Sequence, residues 1–391
     1  MEKLLNIDIE SLKKNNGYYT AKEINQQPRL WLETVGMLKK NGNDIGEYIQ
    51  KKKLVPGIRI ILTGAGTSAY VGDTAAAYLS KKLNLNVESI PTTDIVSSPE
   101  DYLKAEVPTI LVSFARSGNS PESLATYNLA EQIVKNLSQI VITCNEEGKL
   151  SKQCVKSHEN LLLLMPKESD DKGFAMTGAF TCMLLSSLFI FDMENFDNNV
   201  KVIENVAKRG EAIIDTKIEE IVELVKLGYE RVVYLGSSSL AGLAKEAALK
   251  SLELTSGKIS VISESSMGFR HGPKSIINDK TLVFVFVSSD EYTQKYDLDI
   301  IKEIYKDEGK QKVVAITQKV EENLKNISYK NFTTDDGEVV EDAYSALDYI
   351  LYAQLFAFFY SMSIGITPDN PRPDGTLNRV VEGVTIYEYG K

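Results

Sequence analysis

One of the two histidines in the chain, His271, lies in the stretch SESSMGFRHGPKS (263–275), between Arg270 and Gly272-Pro273. Gly and Pro interrupt regular backbone, so this imidazole is expected at the mouth of a loop or in the first turn of a helix. There it could relay a proton near neutral pH or serve as a satisfied structural group. Just upstream, EAALKSLELTSGK (246–258) spaces Glu246, Lys250, Glu253 and Ser256 three and four residues apart, which puts all four on one helical face. The same spacing suits a salt-bridged surface stripe. The helix is rich in Ala and Leu, however, and charges on a packed helix point into a site. A carboxylate held that way suits general acid–base work, because burial raises its pKa toward neutrality.

Two loops offer a different chemistry. GAGTSAY (64–70) and SFARSGNSPES (113–123) carry hydroxyls at Thr67, Ser68, Ser117 and Ser120, a charge at Arg116, and close backbone approach at Gly66 and Gly118. Such loops ahead of helix N-termini cradle anions, phosphate above all; the same residue types also serve as plain N-caps. Neither loop is of the nucleotide kind, since there is no GxxxxGK[ST] and GAGTSA lacks the last glycine of GxGxxG.

The elements that position these residues follow from an internal repeat. Without gaps, RIILTGAGTSAYVGDTAAAYL from Arg59 lies over RVVYLGSSSLAGLAKEAALKS from Arg231, with Gly64 on Gly236 and Ala69 on Ala241. The offset of 172 persists to TILVSFARS (109–117) over TLVFVFVSS (281–289). Two copies of one domain are implied. In each, short apolar strands alternate with helices, the pattern of a parallel sheet covered on both faces. The expected fold is α/β: two tandem, doubly wound domains at 50–195 and 228–366. A helical arm containing Trp31 (1–49) precedes them, a linker helix (196–227) joins them, and a Pro/Gly-rich tail (367–391) follows. Both Ser/Gly loops of the first copy then fall at the carboxyl ends of strands, where such sheets bind ligands. The second copy has Ser288-Ser289-Asp290-Glu291 in place of Arg116-Ser117-Gly118-Asn119; carboxylates buried there would repel a phosphate.

In these motifs the chain resembles the sugar isomerase (SIS) superfamily in its double-domain form. GTS, the SGxS-type loop, the Lys-x-x-Glu pair and RHGP carry that resemblance. TAKEINQQPRLW, ESSMGFRHGPKS and TPDNPRPDGTLNRVVEGVTIY make it similar to the tagatose-6-phosphate ketose/aldose isomerase family, also described as galactosamine-6-phosphate deaminase/isomerase. The resemblance implies that Ser68, Ser117 and Ser120, with Thr67 and Arg116, hold the substrate phosphate. It implies that Glu253 moves a proton between C1 and C2, that Lys250 assists it, and that His271 opens the sugar ring. Gly66, Gly118, Thr177 and Arg270 are further expected substrate contacts. In the related synthases the histidine serves a neighbouring subunit, so a homodimer or larger even homo-oligomer is expected. Those synthases also have a tail lysine that can form an imine, and Glu382 falls at its place here.

The remaining composition narrows the class. A net charge of −10, with lysines spread and matched by acids, excludes a nucleic-acid partner. Cys144, Cys154 and Cys182 form neither a disulfide framework nor a zinc knuckle, and no metal or cofactor is expected. The N-terminus has no signal-peptide core, and the apolar run Met183–Ile190 is too short to cross a bilayer; a soluble, cytoplasmic protein is expected. The reaction implied is conversion of galactosamine 6-phosphate to tagatose 6-phosphate and ammonia. Plain tagatose-6-phosphate isomerisation uses the same residues. A non-catalytic sugar-phosphate sensor would have no need of Glu253 with His271.

Overall fold

A computed structural model describes residues 2–307, 309–334, 337–376, 378–379, 381 and 383–390. A short antiparallel hairpin, β1 (Lys3–Leu4) and β2 (Ile7–Asp8), opens the chain. The first large sheet contains β3 (Arg59–Thr63), β4 (Asn86–Ser89), β5 (Thr109–Ala115), β6 (Leu137–Thr143) and β7 (Leu161–Leu164). The second contains β8 (Arg231–Gly236), β9 (Ser260–Ser265), β10 (Thr281–Phe286), β11 (Lys312–Thr317) and β12 (Lys330–Thr333). Both are fully parallel, in the orders β4-β3-β5-β6-β7 and β9-β8-β10-β11-β12, so the second repeats the topology of the first. The register repeats as well: Arg59 pairs with Thr109, and Arg231 with Thr281. Every residue of β5 and β10 is buried, as expected for strands covered by helices on both faces.

The chain divides into two compact units, each built on one sheet. One comprises Arg29–Asp171, Met176–Val200 and Arg372–Lys391; the other comprises Met1–Pro28, Lys172–Ala175 and Lys201–Pro371. In the unit of the first sheet, the apolar run around Met183 is the helix Gly178–Ile190, buried at every position. Asp171 takes up the N-terminus of that helix, accepting the amides of Thr177 (2.7 Å), Gly178 (3.2 Å) and Ala179 (2.9 Å). In the other unit the helix Asp342–Ser363 packs along the helix Ser239–Leu254. Beneath them Tyr234 stacks on Phe284, and Phe284 meets Phe356 edge-on, both at 5.1 Å. The residues expected as a single linker helix form two, Phe196–Thr216 and Ile218–Lys226. The N-terminal arm is helical over Ile9–Lys14, Tyr18–Asn25, Gln27–Lys40 and Gly42–Lys53, and Trp31 is fully buried. No single helix among the described residues is long and apolar enough to cross a membrane. The three cysteines are buried. Glu382 lies outside the described residues.

One turn recurs in both units and sets up the candidate sites. After β3 the chain passes Gly64, where a Cβ would lie 2.5 Å from the Ser68 backbone; after β8 it passes Gly236, where a Cβ would lie 2.4 Å from the Leu240 carbonyl. Two residues on, Gly66 has φ 56° and ψ −128°, and Ser238 repeats it at φ 53° and ψ −124°. Glycine adopts this conformation freely, whereas serine is strained by it.

Candidate active-site residues

In the unit of the first sheet, the loops after β3 and β5 flank the point where strand order reverses, the usual ligand crevice of such a sheet. Thr67 and Ser68 begin the helix Thr67–Leu83 and are buried, at 4% and 5% exposure. Ser120 is the N-cap residue of the helix Pro121–Ile133. The loop between is held from behind. The Ser117 carbonyl accepts from Asn145 Nδ2 (2.9 Å), the Gly118 carbonyl from the Leu150 amide (2.9 Å), and Asn119 Oδ1 from the Lys149 amide (3.1 Å). The Ser68 and Ser120 hydroxyls have no hydrogen-bond partner among the described residues. Arg116 is buried; its Nη2 donates to the Arg379 carbonyl (2.9 Å), and its charge lies beside Asp171. Burial raises the Asp171 pKa, and backbone donors and Arg116 oppose that shift. Arg379 of the tail in turn donates to Asp170 and to the Asp171 carbonyl. Thr177 is fully buried and gives both its amide and its hydroxyl to Asp171, so the structure accounts for it as part of the helix cap.

In the unit of the second sheet, Glu246, Lys250 and Glu253 share one face of the helix Ser239–Leu254, as their spacing predicts. Lys250 Nζ lies 3.3 Å from Glu246 and 2.7 Å from Glu253. Glu246 and Lys250 are wholly buried, and the Glu253 side chain is 22% exposed. Burial would lower the Lys250 pKa, but the two carboxylates overcome it and raise it. Lys250 is therefore a fixed cation and no source of neutral amine. Ser256 does not join the face: the helix ends at Leu254, and Ser256 turns left-handed at φ 53°. His271 follows a 3-10 turn, Gly268–Arg270, in an exposed loop, and no described residue pairs with its imidazole. Arg270 is engaged by Glu303 at 2.6 Å.

The second unit's own Ser-rich loops are filled from within. Asp297, wholly buried, accepts the Ser237 hydroxyl (2.6 Å) and the Ser266 hydroxyl on Oδ1 and the Ser288 amide (2.9 Å) on Oδ2. Asp342 accepts the Ser289 amide and hydroxyl, each at 2.8 Å, and the Ser288 hydroxyl. The carboxylates expected to close this cradle, Asp290 and Glu291, are exposed instead, and Asp290 caps the helix Glu291–Lys306 through the Thr293 amide. Burial pushes the Asp297 carboxyl up to about 6. Asp297 is not among the residues singled out by motif or spacing, although an acid on the apolar stripe of Ile300, Ile301 and Ile304 is a readable signal. Nor is Glu122, whose Oε2 is buried without a partner among the described residues, in the turn after Ser120. Among the described residues no group of three His, Cys, Asp or Glu could hold a metal ion.

Two parallel sheets of the same order, each with a glycine-turned loop after its first strand, define a tandem SIS protein; the SIS domain matches residues 53–191 and 228–359. The chain belongs to the double-SIS-domain phosphosugar isomerase family. It is 42% identical, over 376 residues, to the Escherichia coli D-galactosamine-6-phosphate deaminase AgaS, a span covering 95% of this chain and 96% of that one. A Clostridium novyi protein described as a candidate tagatose-6-phosphate ketose/aldose isomerase has a similar structure, with TM-score 0.97, 46% identity and full coverage of both chains. The Escherichia coli tagatose-6-phosphate ketose/aldose isomerase superposes with TM-score 0.89 at 38% identity, over 98% of this chain and 99% of that one.

Proposed function

We propose that the chain is a sugar-phosphate aldose/ketose isomerase with deaminase activity, acting on galactosamine 6-phosphate to give tagatose 6-phosphate and ammonia. The observation that carries the phosphate assignment is the difference between the two copies. In the second, the chain's own Asp297 and Asp342 carboxylates take the serine donors. In the first, the Ser68 and Ser120 hydroxyls stay unpaired among the described residues. One copy has an internal anion, and the other takes its anion from solution: the substrate phosphate, at Thr67, Ser68, Ser117 and Ser120, with the Gly66 and Gly118 backbone approaching it closely. Arg116 contributes a positive potential from behind the loop rather than a free guanidinium.

The chemistry falls to the second unit. His271 assists opening of the sugar ring. The Glu253 carboxylate removes the C2 proton of the open-chain aldehyde and returns a proton at C1, passing through an enolamine. The product imine at C2 adds water, its C–N bond breaks, and ammonia leaves a C2 ketone. Lys250 holds the Glu253 carboxylate on the helix face and does not form an imine, since its amine is kept protonated. The full-length relatives named for D-galactosamine-6-phosphate deamination support this substrate. Plain isomerisation of tagatose 6-phosphate would use the same proton transfer without the final hydrolysis. Incubation with galactosamine 6-phosphate, glucosamine 6-phosphate and tagatose 6-phosphate, scoring ammonia and product sugar, separates the readings. Ammonia should form fastest from the galactosamine ester. Turnover of tagatose 6-phosphate with no ammonia from either amino sugar would reduce the activity to isomerisation.

A further inference from the structure

The unit that carries Glu253 contains a second opening, a cavity of about 420 Å³ beside the carboxyl end of β12. Strand β12 is at the sheet edge, separated from β8 and the Glu253 helix that follows it by β11 and β10, so the cavity is not part of the site described above. Its volume is that of a small-molecule pocket. The helix Phe196–Thr216 gives it Asn205, Lys208 and Arg209, the residue after β12 is Thr334, the next loop gives Glu338, and the helix Asp342–Ser363 gives Tyr352.

Two of these groups are left without partners. Tyr352 is 1% exposed and Thr334 8%, and neither hydroxyl has a hydrogen bond among the described residues. A buried hydroxyl left unsatisfied is costly, and native structures seldom tolerate two together. Tyr352 cannot turn away, because its ring stacks on Phe332 at 4.7 Å. The charges sort by availability. Arg209 is bound to Asp348 at 2.9 Å and to Gln318 at 3.3 Å, both within the fold. Lys208 is exposed and forms no ion pair among the described residues. Glu338 accepts from Asn205 Nδ2.

We propose that this cavity binds a small hydroxylated anion, a sugar acid or a sugar phosphate. Its anionic group meets Lys208 at the rim, and its hydroxyls satisfy Tyr352 and Thr334. A bare anion would leave the deep hydroxyls unpaired, and a neutral polyol would leave Lys208 unused.

The test is calorimetric titration of the Ser68→Ala, Ser120→Ala protein, in which the first-sheet cradle is weakened, with four probes: galacturonate, galactose 6-phosphate, galactitol and inorganic phosphate. At least one of the two anionic sugars should bind saturably, and which one binds identifies the anionic group. Galactitol and inorganic phosphate should each bind at least roughly tenfold more weakly, and adding Tyr352→Phe or Lys208→Ala should cost the sugar about tenfold in affinity. Without any probe, Tyr352→Phe should leave the thermal midpoint level or raise it, because it deletes an unpaired hydroxyl. No saturable binding of either anionic sugar, or binding that ignores both substitutions, assigns the cavity to water and overturns the proposal. A lowered midpoint in Tyr352→Phe shows that the hydroxyl is already satisfied, with the same consequence.

Discussion

Asp297→Asn probes the joint between the helix that carries Glu253 and the loop that carries His271. One carboxylate there accepts Ser237, at the entry to the helix, and Ser266, at the entry to the loop, and anchors the Ser288 amide as well. Burial raises its pKa from an ordinary 3.8 to about 6. A carboxyl whose pKa rises on folding binds its proton more tightly in the folded state. Its contribution to stability is therefore greatest in acid and is lost as pH rises from about 3.8 through about 6. A gap of about two units at ~1.4 kcal/mol each amounts to about 3 kcal/mol. Asparagine has no such titration. It also offers one acceptor oxygen where the carboxylate offers two, so its N–H₂ faces either the Ser288 amide or the Ser237 and Ser266 hydroxyls, and a pH-independent loss of about 1 kcal/mol is added. Urea unfolding of both proteins, followed by fluorescence at half-unit steps, gives the difference directly. The advantage of the wild type over the variant should shrink by about 2–3 kcal/mol between pH 4 and pH 8. A difference that is flat across that range, or that grows with pH, refutes the reasoning.

Ser68→Ala and Ser120→Ala should each raise KM several-fold with little change in kcat, because a phosphate remote from C1–C2 is bound alike in ground and transition states; an unchanged KM would place the phosphate elsewhere. Lys250→Ala leaves Glu246 and Glu253 facing a buried hole with no counter-charge, a loss of about 3–5 kcal/mol on thermal or urea unfolding. A loss below about 1 kcal/mol would show that water already reaches the triad. If the exposed His271 loop serves a second copy of the chain, mixing inactive Glu253→Gln and His271→Ala proteins should restore part of the activity, and exchanged oligomers without rescue would count against shared sites.

The repeat was the most legible feature of the sequence. A constant offset from Arg59/Arg231 to Ser117/Ser289 reappears as two sheets of one strand order with one register, because buried parallel strands are written in uninterrupted apolar residues. The Glu246–Lys250–Glu253 face was legible for a similar reason: spacing of three and four is decisive wherever a helix continues. It failed at Ser256, where the helix had already ended, since a boundary depends on the local turn and not on the spacing. The self-filled cradle of the second copy was half legible. That the second copy uses this loop differently could be read from Ser288–Glu291, but the carboxylates that accept from its serines are Asp297 and Asp342, which only the fold brings there. Arg116 read as a phosphate ligand because its neighbours are serines and glycines; its engagement by the Arg379 carbonyl and Asp171 involves residues distant in sequence. The four-residue neighbourhood of a loop says what it can bind, and the fold says what already occupies it.

The central claim is that Glu253 carries the proton between C2 and C1. It is tested most directly by incubating the enzyme with galactosamine 6-phosphate in deuterated water and following deuterium in substrate and product by NMR, with ammonia release in parallel. Glu253→Gln keeps the shape of the side chain and loses its basic form, so its turnover should fall by about 10²–10⁴ or more. Deuterium should enter the C1 position of tagatose 6-phosphate with the wild-type enzyme, and deuterium incorporation should fall together with ammonia release in the variant. A Glu253→Gln protein that exchanges the C2 proton at the wild-type rate would contradict the account and pass the role to another group, with Glu246 on the same helix face the first to examine.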